Sequence, residues 1–146
     1  MVVWMVSKRA SNKAIGARAE AQFKDVLHAW SFVDEQIEKA RPTYKPIGGG
    51  RMISSPNDFY SLFDFMVKNK DFTMYIQVKA GEYAGTNVSH AKKDILEWCD
   101  KYAMDTDKIM IAQKVDRKGF ILRTYIDSIE KKEYINFKGV TIDTFK

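Results

Sequence analysis

The stretch from Phe59 to Gly81 constrains the fold of this chain more than any other. Its second half, from Phe72 to Lys79, alternates regularly, so successive side chains point to opposite faces of a strand. Its first half is almost wholly apolar, as is typical of a central strand that is covered on both faces. A polar turn at 69–71 separates the halves. The stretch therefore predicts a strand pair within a buried sheet.

Three polar side chains interrupt this apolar stretch. Asp64 lies inside the first predicted strand, and Gln77 and Lys79 lie near the end of the second. A carboxylate in a buried strand is costly unless a partner meets it. Lys79 could be that partner in a purely structural ion pair. The same three residues also match the layout of a metal-dependent phosphodiesterase site, so the strand pair alone leaves both interpretations open.

Two amphipathic helices are predicted on either side of the strand pair. The first has Ser11 or Asn12 as its N-cap and runs to about Trp30, because apolar residues recur there at helical spacing. The second has Ser89 as its candidate cap and an apolar stripe that ends at Tyr102. Each helix therefore has one face to bury against a sheet.

The whole chain, 1–146, is predicted to be one α/β domain with its core at about 11–126. The proline- and glycine-rich segment 41–57 is predicted to be a flexible basic loop. This element order indicates a mixed β-sheet of four to five strands flanked by helices. Beyond the central pair, strands are predicted at Lys108–Lys114, Gly119–Ile126 and Tyr134–Phe137, with a short polar turn or helix at Ser128–Lys132.

Charge and cysteine content narrow the classes of function. The 146 residues carry a formal net charge of +5, which favours an anionic partner such as nucleic acid. The single cysteine, Cys99, excludes an internal disulfide, and its helical apolar position indicates a core residue. The N-terminal apolar run is too short for a membrane span, and its basic residues follow rather than precede it. We therefore expect a cytoplasmic protein.

Glu20 is a candidate site residue outside the strand pair. It lies at the edge of the apolar stripe of the first helix, three residues before Phe23. A carboxylate at the margin of a buried face needs a positive charge nearby, although a solvated surface acid is the simpler interpretation of Glu20 alone. Gly16, one turn earlier, leaves room for another backbone or a phosphate to approach.

A Gly-x-x-x-Glu motif ending at Glu20, a later Asp64 and a Gln-Val-Lys motif ending at Lys79 together resemble the PD-(D/E)xK nuclease superfamily. Within it, the likeness is greatest to the archaeal-type Holliday junction resolvases, in which an Asp is followed about a dozen positions later by Glu-Val-Lys. Here Asp64 and Gln77 are 13 positions apart. The resemblance covers about 11–126 and implies a restriction-endonuclease-like core.

The chain departs from the family pattern at two points. Gln77 stands in place of the usual Glu, so the site keeps an oxygen ligand and loses one negative charge. A longer, glycine-rich segment precedes Asp64. Within that segment Ser54, or its neighbour Ser55, falls where such resolvases carry a serine that touches the metal site or the scissile phosphate.

The resemblance implies a metal-dependent DNA endonuclease that hydrolyses phosphodiester bonds, selectively in Holliday junctions or other branched DNA. The expected cofactor is Mg²⁺, for which Mn²⁺ would substitute, and the expected assembly is a homodimer. The expected catalytic residues are Glu20, Asp64, Gln77 and Lys79, and the expected metal ligands are Glu20, Asp64, Gln77 and Val78 through its carbonyl. The residues expected to contact DNA are Lys13, Arg18, Arg41, Lys45, Arg51, Ser54, Ser55, Lys92 and Lys93.

Other functions stay open on the sequence. A PD-(D/E)xK nuclease of restriction, repair or phage type would use the same residues on different DNA. A DNA-binding module that kept the fold and lost catalysis would explain Gln77, whereas the presence of Asp64, Lys79 and Glu20 favours an enzyme. Lys92 and Lys93 are predicted in the first turn of the second helix, where an anion would offset their conflict with the helix dipole.

Overall fold

The fold is seen in a computed structural model that describes residues 12–40, 43–48, 51–55, 58–60, 62–81 and 84–145, without the side chains of 12–13, 43–48, 51–55 and 84. No helix in these ranges is long and apolar enough to cross a membrane. The elements are α1 (Asn12–Ala29), β1 (Ile37–Lys39), β2 (Thr43–Gly48), β3 (Arg51–Ser55), β4 (Phe65–Lys68), β5 (Thr73–Lys79), α2 (Ala84–Tyr102), β6 (Asp107–Val115), β7 (Gly119–Ile126), β8 (Ile129–Ile135) and β9 (Thr141–Ile142), with a 3₁₀ turn at Asp34–Gln36.

One mixed sheet organises the molecule. Seven strands form it in the order β1-β4-β5-β6-β7-β8-β9. Within this sheet β5 and β6 pair in parallel, and the other neighbouring strands pair antiparallel. A parallel pair needs a long crossover, which α2 supplies. The predicted α/β class is confirmed, but the sheet has seven strands where four to five were expected.

The prediction misses strands that carry little apolar periodicity. β8 takes in residues 129–132 of the segment Ser128–Lys132, which was predicted as a short polar turn or helix, and Ile129, Lys131 and Lys132 are exposed. Backbone pairing to β7 along its length and the buried Ile135 hold β8 in place. β1 and β9 have three and two residues, too few to show a period. The bounds predicted for an edge strand at Tyr134–Phe137 are therefore wrong.

The segment 41–57, predicted as a flexible basic loop, contains a β-hairpin in the structure. β2 and β3 pair antiparallel, beginning with Thr43 opposite Ser55, in a two-stranded sheet of their own. The register shifts between Pro46 and Gly48. Pro46 has no amide hydrogen to donate to a ladder. Pro46 and Gly48 therefore produce an irregularity within the hairpin but do not prevent it.

The first helix covers one face of the main sheet. Its Phe23, Val26 and Leu27 are fully buried against strand residues that include Phe65 and Phe120. The rings of Phe23 and Phe120 meet edge to face with centroids 5.2 Å apart. Each such side chain contributes about 1.5–3 kcal/mol of burial free energy, so α1 is held firmly on the sheet.

The second helix covers the opposite face. Ile95 and Trp98 of α2 pack on Tyr75 and Ile111 of the central strands. Met74 and Ile76 of β5 instead lie in the cluster beneath α1. The predicted alternation along this strand is therefore confirmed, and both of its faces are covered.

The predicted bounds are confirmed for the first helix, whereas the predicted start of the second helix is wrong. The first helix, Asn12–Ala29, is as predicted to within a residue. The second begins at Ala84 rather than after Ser89, whose hydroxyl donates to the carbonyl of Gly85 at 3.3 Å inside the helix. Lys92 and Lys93 are consequently in its third turn, and the predicted conflict with the helix dipole is wrong.

Two glycine substitutions are expected to act in opposite directions. Gly119 has φ of 150° at the start of β7, and a Cβ there would collide with the carbonyl oxygen of Ile135. Gly119→Ala should therefore lower the free energy of unfolding by about 1–3 kcal/mol. Gly16, within α1, has open space where a Cβ would lie, so Gly16→Ala should raise the free energy of unfolding by about 0.5–1 kcal/mol. Urea unfolding checks both, and equal stabilities of the two variants would contradict the expectation.

Candidate functional site

Asp64 lies directly before β4, opposite the strand that carries Gln77. The antiparallel ladder begins with Phe65 opposite Ile76, and Asp64 and Gln77 each lie one residue beyond that pair. The amide of Asp64 donates to the carbonyl of Ile76 at 2.8 Å, which extends the ladder by one bond beyond the strand. The spacing of 13 positions is thus a consequence of one hairpin.

The carboxylate of Asp64 is held by the backbone of β5. Its Oδ2 accepts a hydrogen bond of 2.7 Å from the amide of Val78. Burial raises the pKa of Asp64 from 3.8 to about 7, against the effect of that hydrogen bond. This value includes smaller contributions from the charges of Glu20 and Asp58, which raise the pKa, and from Lys79, which lowers it. Asp64 is therefore a buried acid whose ionised form lacks a neutralising positive charge.

Glu20 reaches the same site from α1. It follows the fully buried Ala19 on the helix and is itself half-buried. Burial raises the pKa of Glu20, the charge of Lys39 lowers it and Asp58 raises it. Since Glu20 also raises the pKa of Asp64, the two carboxylates interact directly through space. Glu20 is therefore turned toward the strand pair rather than toward bulk solvent.

Asp58 is a third acid at this site, and it was not predicted from the sequence. The chain reverses between Phe59 and Phe63, which form an isolated antiparallel bridge closed by hydrogen bonds of 2.8 and 3.0 Å. This reversal brings Asp58 back beside Asp64. Burial raises the pKa of Asp58, and the charge of Lys79 lowers it. The bridge depends on a positive φ of 54° at Tyr60, for which the local sequence carries no signal.

Gln77 carries the most unusual polar atom of the site. The residue is only 8% exposed, and its Oε1 is buried without a hydrogen-bond partner among the described residues. A buried amide oxygen without a partner costs about 1–3 kcal/mol. A cation between Asp64 and Gln77 would satisfy this oxygen and the buried carboxylate together. The residues present therefore fit a hard divalent cation.

The carboxylates do not form a closed ligand shell. Within the described ranges, no three His, Cys, Asp or Glu side chains are placed to hold one metal ion together. The site instead combines one carboxylate and one amide oxygen on facing strands with two further acids around them. Lys79 adds a positive charge near Asp58 and Asp64.

The ion-pair interpretation of Asp64 is weakened by its hydrogen bonding. Asp64 accepts from the backbone of Val78, and its carboxylate and the ammonium of Lys79 are farther apart than the 4.0 Å of a salt bridge. Lys79 lowers the pKa of Asp64 less than burial raises it. Packing alone therefore does not account for an acid at this position.

The predicted DNA contacts fall into three groups. Lys92 is engaged on the sheet, where its ammonium lies 3.0 Å from the carboxylate of Glu130. Arg18 and Lys93 are exposed on α1 and α2. The remaining predicted contacts lie outside the residues whose side chains are described: Lys13, Arg41, Lys45, Arg51, Ser54 and Ser55.

Glu130 anchors a polar network that the sequence did not predict. Arg123 donates to one oxygen of Glu130 at 2.8 Å and to Gln113 at 2.8 Å. The hydroxyl of Tyr125 donates to the other Glu130 oxygen at 3.2 Å. The network is satisfied by its own members, so we assign Lys92 a structural contact here.

Comparison of the chain with protein-family models, with curated proteins and with solved structures finds no match in any of the three.

Proposed function

We propose that the chain is a metal-dependent DNA endonuclease of the PD-(D/E)xK type. The observation that carries the proposal is a buried Asp64 carboxylate held by the backbone of β5, the strand whose Gln77 has a buried oxygen without a hydrogen-bond partner among the described residues. Glu20 approaches the pair from a helix, and Lys79 lies two residues beyond Gln77. An acid pair alone is common in structural networks, whereas a partnerless oxygen beside an uncompensated acid is costly without a ligand.

The order of elements also supports the nuclease type. Setting the β2–β3 hairpin aside, the chain runs α1, β1, β4, β5, α2 and β6, with β5 and β6 parallel. A helix, three antiparallel-paired strands, a crossover helix and a parallel strand are what we expect of a restriction-endonuclease-like core. The inserted hairpin and the strands β7 to β9 would then be additions to that core.

Different residues of the chain are assigned different roles in hydrolysis. Asp64 and Gln77 would hold Mg²⁺ or Mn²⁺ through hard oxygen atoms, which would supply a Lewis acid at the phosphate and an activated water. Glu20, whose pKa is raised by burial, is assigned to accept a proton from the attacking water. Lys79 is assigned to orient that water and to offset the charge that develops on the phosphate oxygens.

Branched DNA is the substrate that we propose, and a homodimer is the form that would cut it. The net charge of +5 supports an anionic polymer as partner. A twofold dimer would present two sites to two strands of a junction. Cleavage of labelled four-way junction, flap and plain duplex DNA, each with Mg²⁺ and with chelator, tests the proposal. Metal-dependent cutting of the junction is expected, and no cutting of any substrate would contradict it.

Gln77→Glu is expected to tighten metal binding. The substitution introduces the negative charge that the family pattern has at this position. The side-chain oxygen of Gln77 that it replaces is buried without a hydrogen-bond partner among the described residues. The dissociation constant for Mn²⁺ should fall by roughly tenfold, as measured by titration calorimetry of the DNA-free protein.

Gln22→Glu provides a matched control for this change. Gln22 also has a buried Oε1 without a hydrogen-bond partner among the described residues, but it lies two residues beyond Glu20 on α1 and so projects in another direction. Its new charge should not tighten Mn²⁺ binding. Equal effects of the two substitutions, or none from Gln77→Glu, would exclude Gln77 as a ligand.

A DNA-binding module without catalysis is the second candidate. The missing charge at Gln77 favours it, as does the absence of a three-acid ligand group among the described residues. Such a module would bind junction DNA equally well with chelator and with Mg²⁺, and would cut none of it.

A further inference from the structure

A cavity of about 350 Å³ lies beside the proposed active site. It is bounded by the first turns of α1, the chain just after β5 and the end of β6. Its walls include Ile15 and Arg18 from α1, Gly81 after β5, and Lys114 and Asp116 at the end of β6.

Two cations in this cavity are free of acidic partners. No carboxylate in the described ranges lies within the 4.0 Å of a salt bridge from the guanidinium of Arg18 or the ammonium of Lys114. Lys114 instead lies over the ring of Phe137, 5.9 Å from its centroid. The carboxylate of Asp116 lies 4.0 Å from Nε of Arg117, and so contacts neither Arg18 nor Lys114. Two cations and one carboxylate give these walls a charge near +1, which matches the single negative charge of a phosphodiester.

The position of the cavity relates it to the acidic site. Arg18 lies two residues before Glu20 on α1, so the two side chains project in different directions. Gly81 lies two residues after Lys79, a chain distance of at most about 7 Å. A Cβ added at Gly81 would lie 3.7 Å from Cγ2 of Ile15, so α1 and the end of β5 touch at this point. The cavity therefore lies next to the end of the strand that carries Lys79.

We propose that Arg18 and Lys114 together hold one backbone phosphate of the DNA strand, next to the phosphate that enters the acidic site. This rests on the proposed function and adds a positioning site to it. Arg18 offers a planar fork of donors and Lys114 a compact charge, and both bind phosphate oxygens well. Ile15 supplies an apolar wall of the kind that a deoxyribose contacts. A strand fixed at this phosphate would have its register set relative to Asp64 and Gln77.

The test is junction binding as a function of salt. Fluorescence anisotropy with a labelled four-way junction, in chelator to prevent cutting, gives the affinity and the slope of its logarithm against salt. The double variant Arg18→Gln, Lys114→Gln should bind several-fold more weakly and should lower the slope by about 0.9, the value for one phosphate. Lys108→Gln is the matched control, since Lys108 lies on the same strand, over the ring of Phe72 at 4.1 Å, toward the other end. It should change neither quantity.

The outcomes separate this proposal from the nuclease proposal. A double variant that matches Lys108→Gln in slope and affinity overturns the phosphate site, even if the wild type cuts DNA. A lowered slope in a protein that never cuts overturns the nuclease proposal and supports the phosphate site. The charge-keeping pair Arg18→Lys, Lys114→Arg should retain the wild-type slope, which excludes misfolding as the cause. If inorganic phosphate raises the melting temperature through Arg18 and Lys114 while the junction slope stays unchanged, the site takes free phosphate and the DNA proposal is overturned.

Discussion

Asp64→Asn is expected to lower the rate of metal-dependent DNA cleavage by at least roughly a thousandfold. The asparagine keeps the shape of the side chain, and its oxygen can still accept the hydrogen bond that the amide of Val78 donates at 2.7 Å. What it removes is the negative charge of the buried carboxylate. Gel analysis of a labelled four-way junction under single-turnover conditions measures the loss.

The control for this variant is Asp71→Asn in the turn between β4 and β5. Asp71 is exposed and lies in the same hairpin, with its amide donating to Asn69 at 2.8 Å. Its cleavage rate should equal that of the wild type. Junction affinity in chelator should be nearly unchanged for both variants. A cleavage rate for Asp64→Asn within tenfold of wild type would remove Asp64 from the catalytic residues.

The same substitution is expected to stabilise the metal-free protein at alkaline pH. Burial raises the pKa of Asp64 from 3.8 to about 7 in the folded chain. Between these values the folded state keeps the proton and the unfolded state has lost it. Unfolding then releases a proton, so the free energy of unfolding falls as pH rises. A shift of about three pKa units corresponds to about 4 kcal/mol, which is absent below pH 3.8 and fully expressed above pH 7.

Urea unfolding of wild type and Asp64→Asn at pH 4 and pH 8, in chelator, measures this cost. Burial also raises the pKa values of Glu20 and Asp58, so both proteins should lose stability in this direction as pH rises. The difference between the proteins isolates Asp64 and should be about 4 kcal/mol in favour of Asp64→Asn at pH 8. Mg²⁺ should reduce the difference by stabilising the wild type. Parallel pH profiles in chelator would contradict the buried charge.

The strand pair could be predicted because its determinants are local. Alternation along β5 gives the two faces, and the turn at 69–71 separates the two strands whose register begins with Phe65 opposite Ile76. The apolar stripe of α1 places Glu20 at the margin of a buried face. These features follow from periodicities of two and of 3.6 residues, which a sequence displays directly.

Other parts of the site depend on contacts between distant segments. Asp58 lies beside Asp64 and Glu20 only because the chain reverses at the bridge between Phe59 and Phe63, and no periodicity in the sequence predicts that reversal. Lys92 is engaged through Glu130 of β8, a strand whose polar residues look like a turn. Lys114 belongs to a cavity that exists only once α1 lies against the end of β6. Such features require the assembled fold, and residue spacing alone does not contain them.

The most direct test of the central claim is the location of a bound cation. Crystals of the protein grown with Mn²⁺ should show an anomalous difference peak between Asp64 and Gln77, within bonding distance of the Asp64 carboxylate and of Oε1 of Gln77. The account predicts that Gln77 turns its oxygen, not its nitrogen, toward this peak, because that oxygen is buried without a hydrogen-bond partner among the described residues. A cation elsewhere, or a Gln77 oxygen satisfied by a protein donor with no peak beside Asp64, would contradict it.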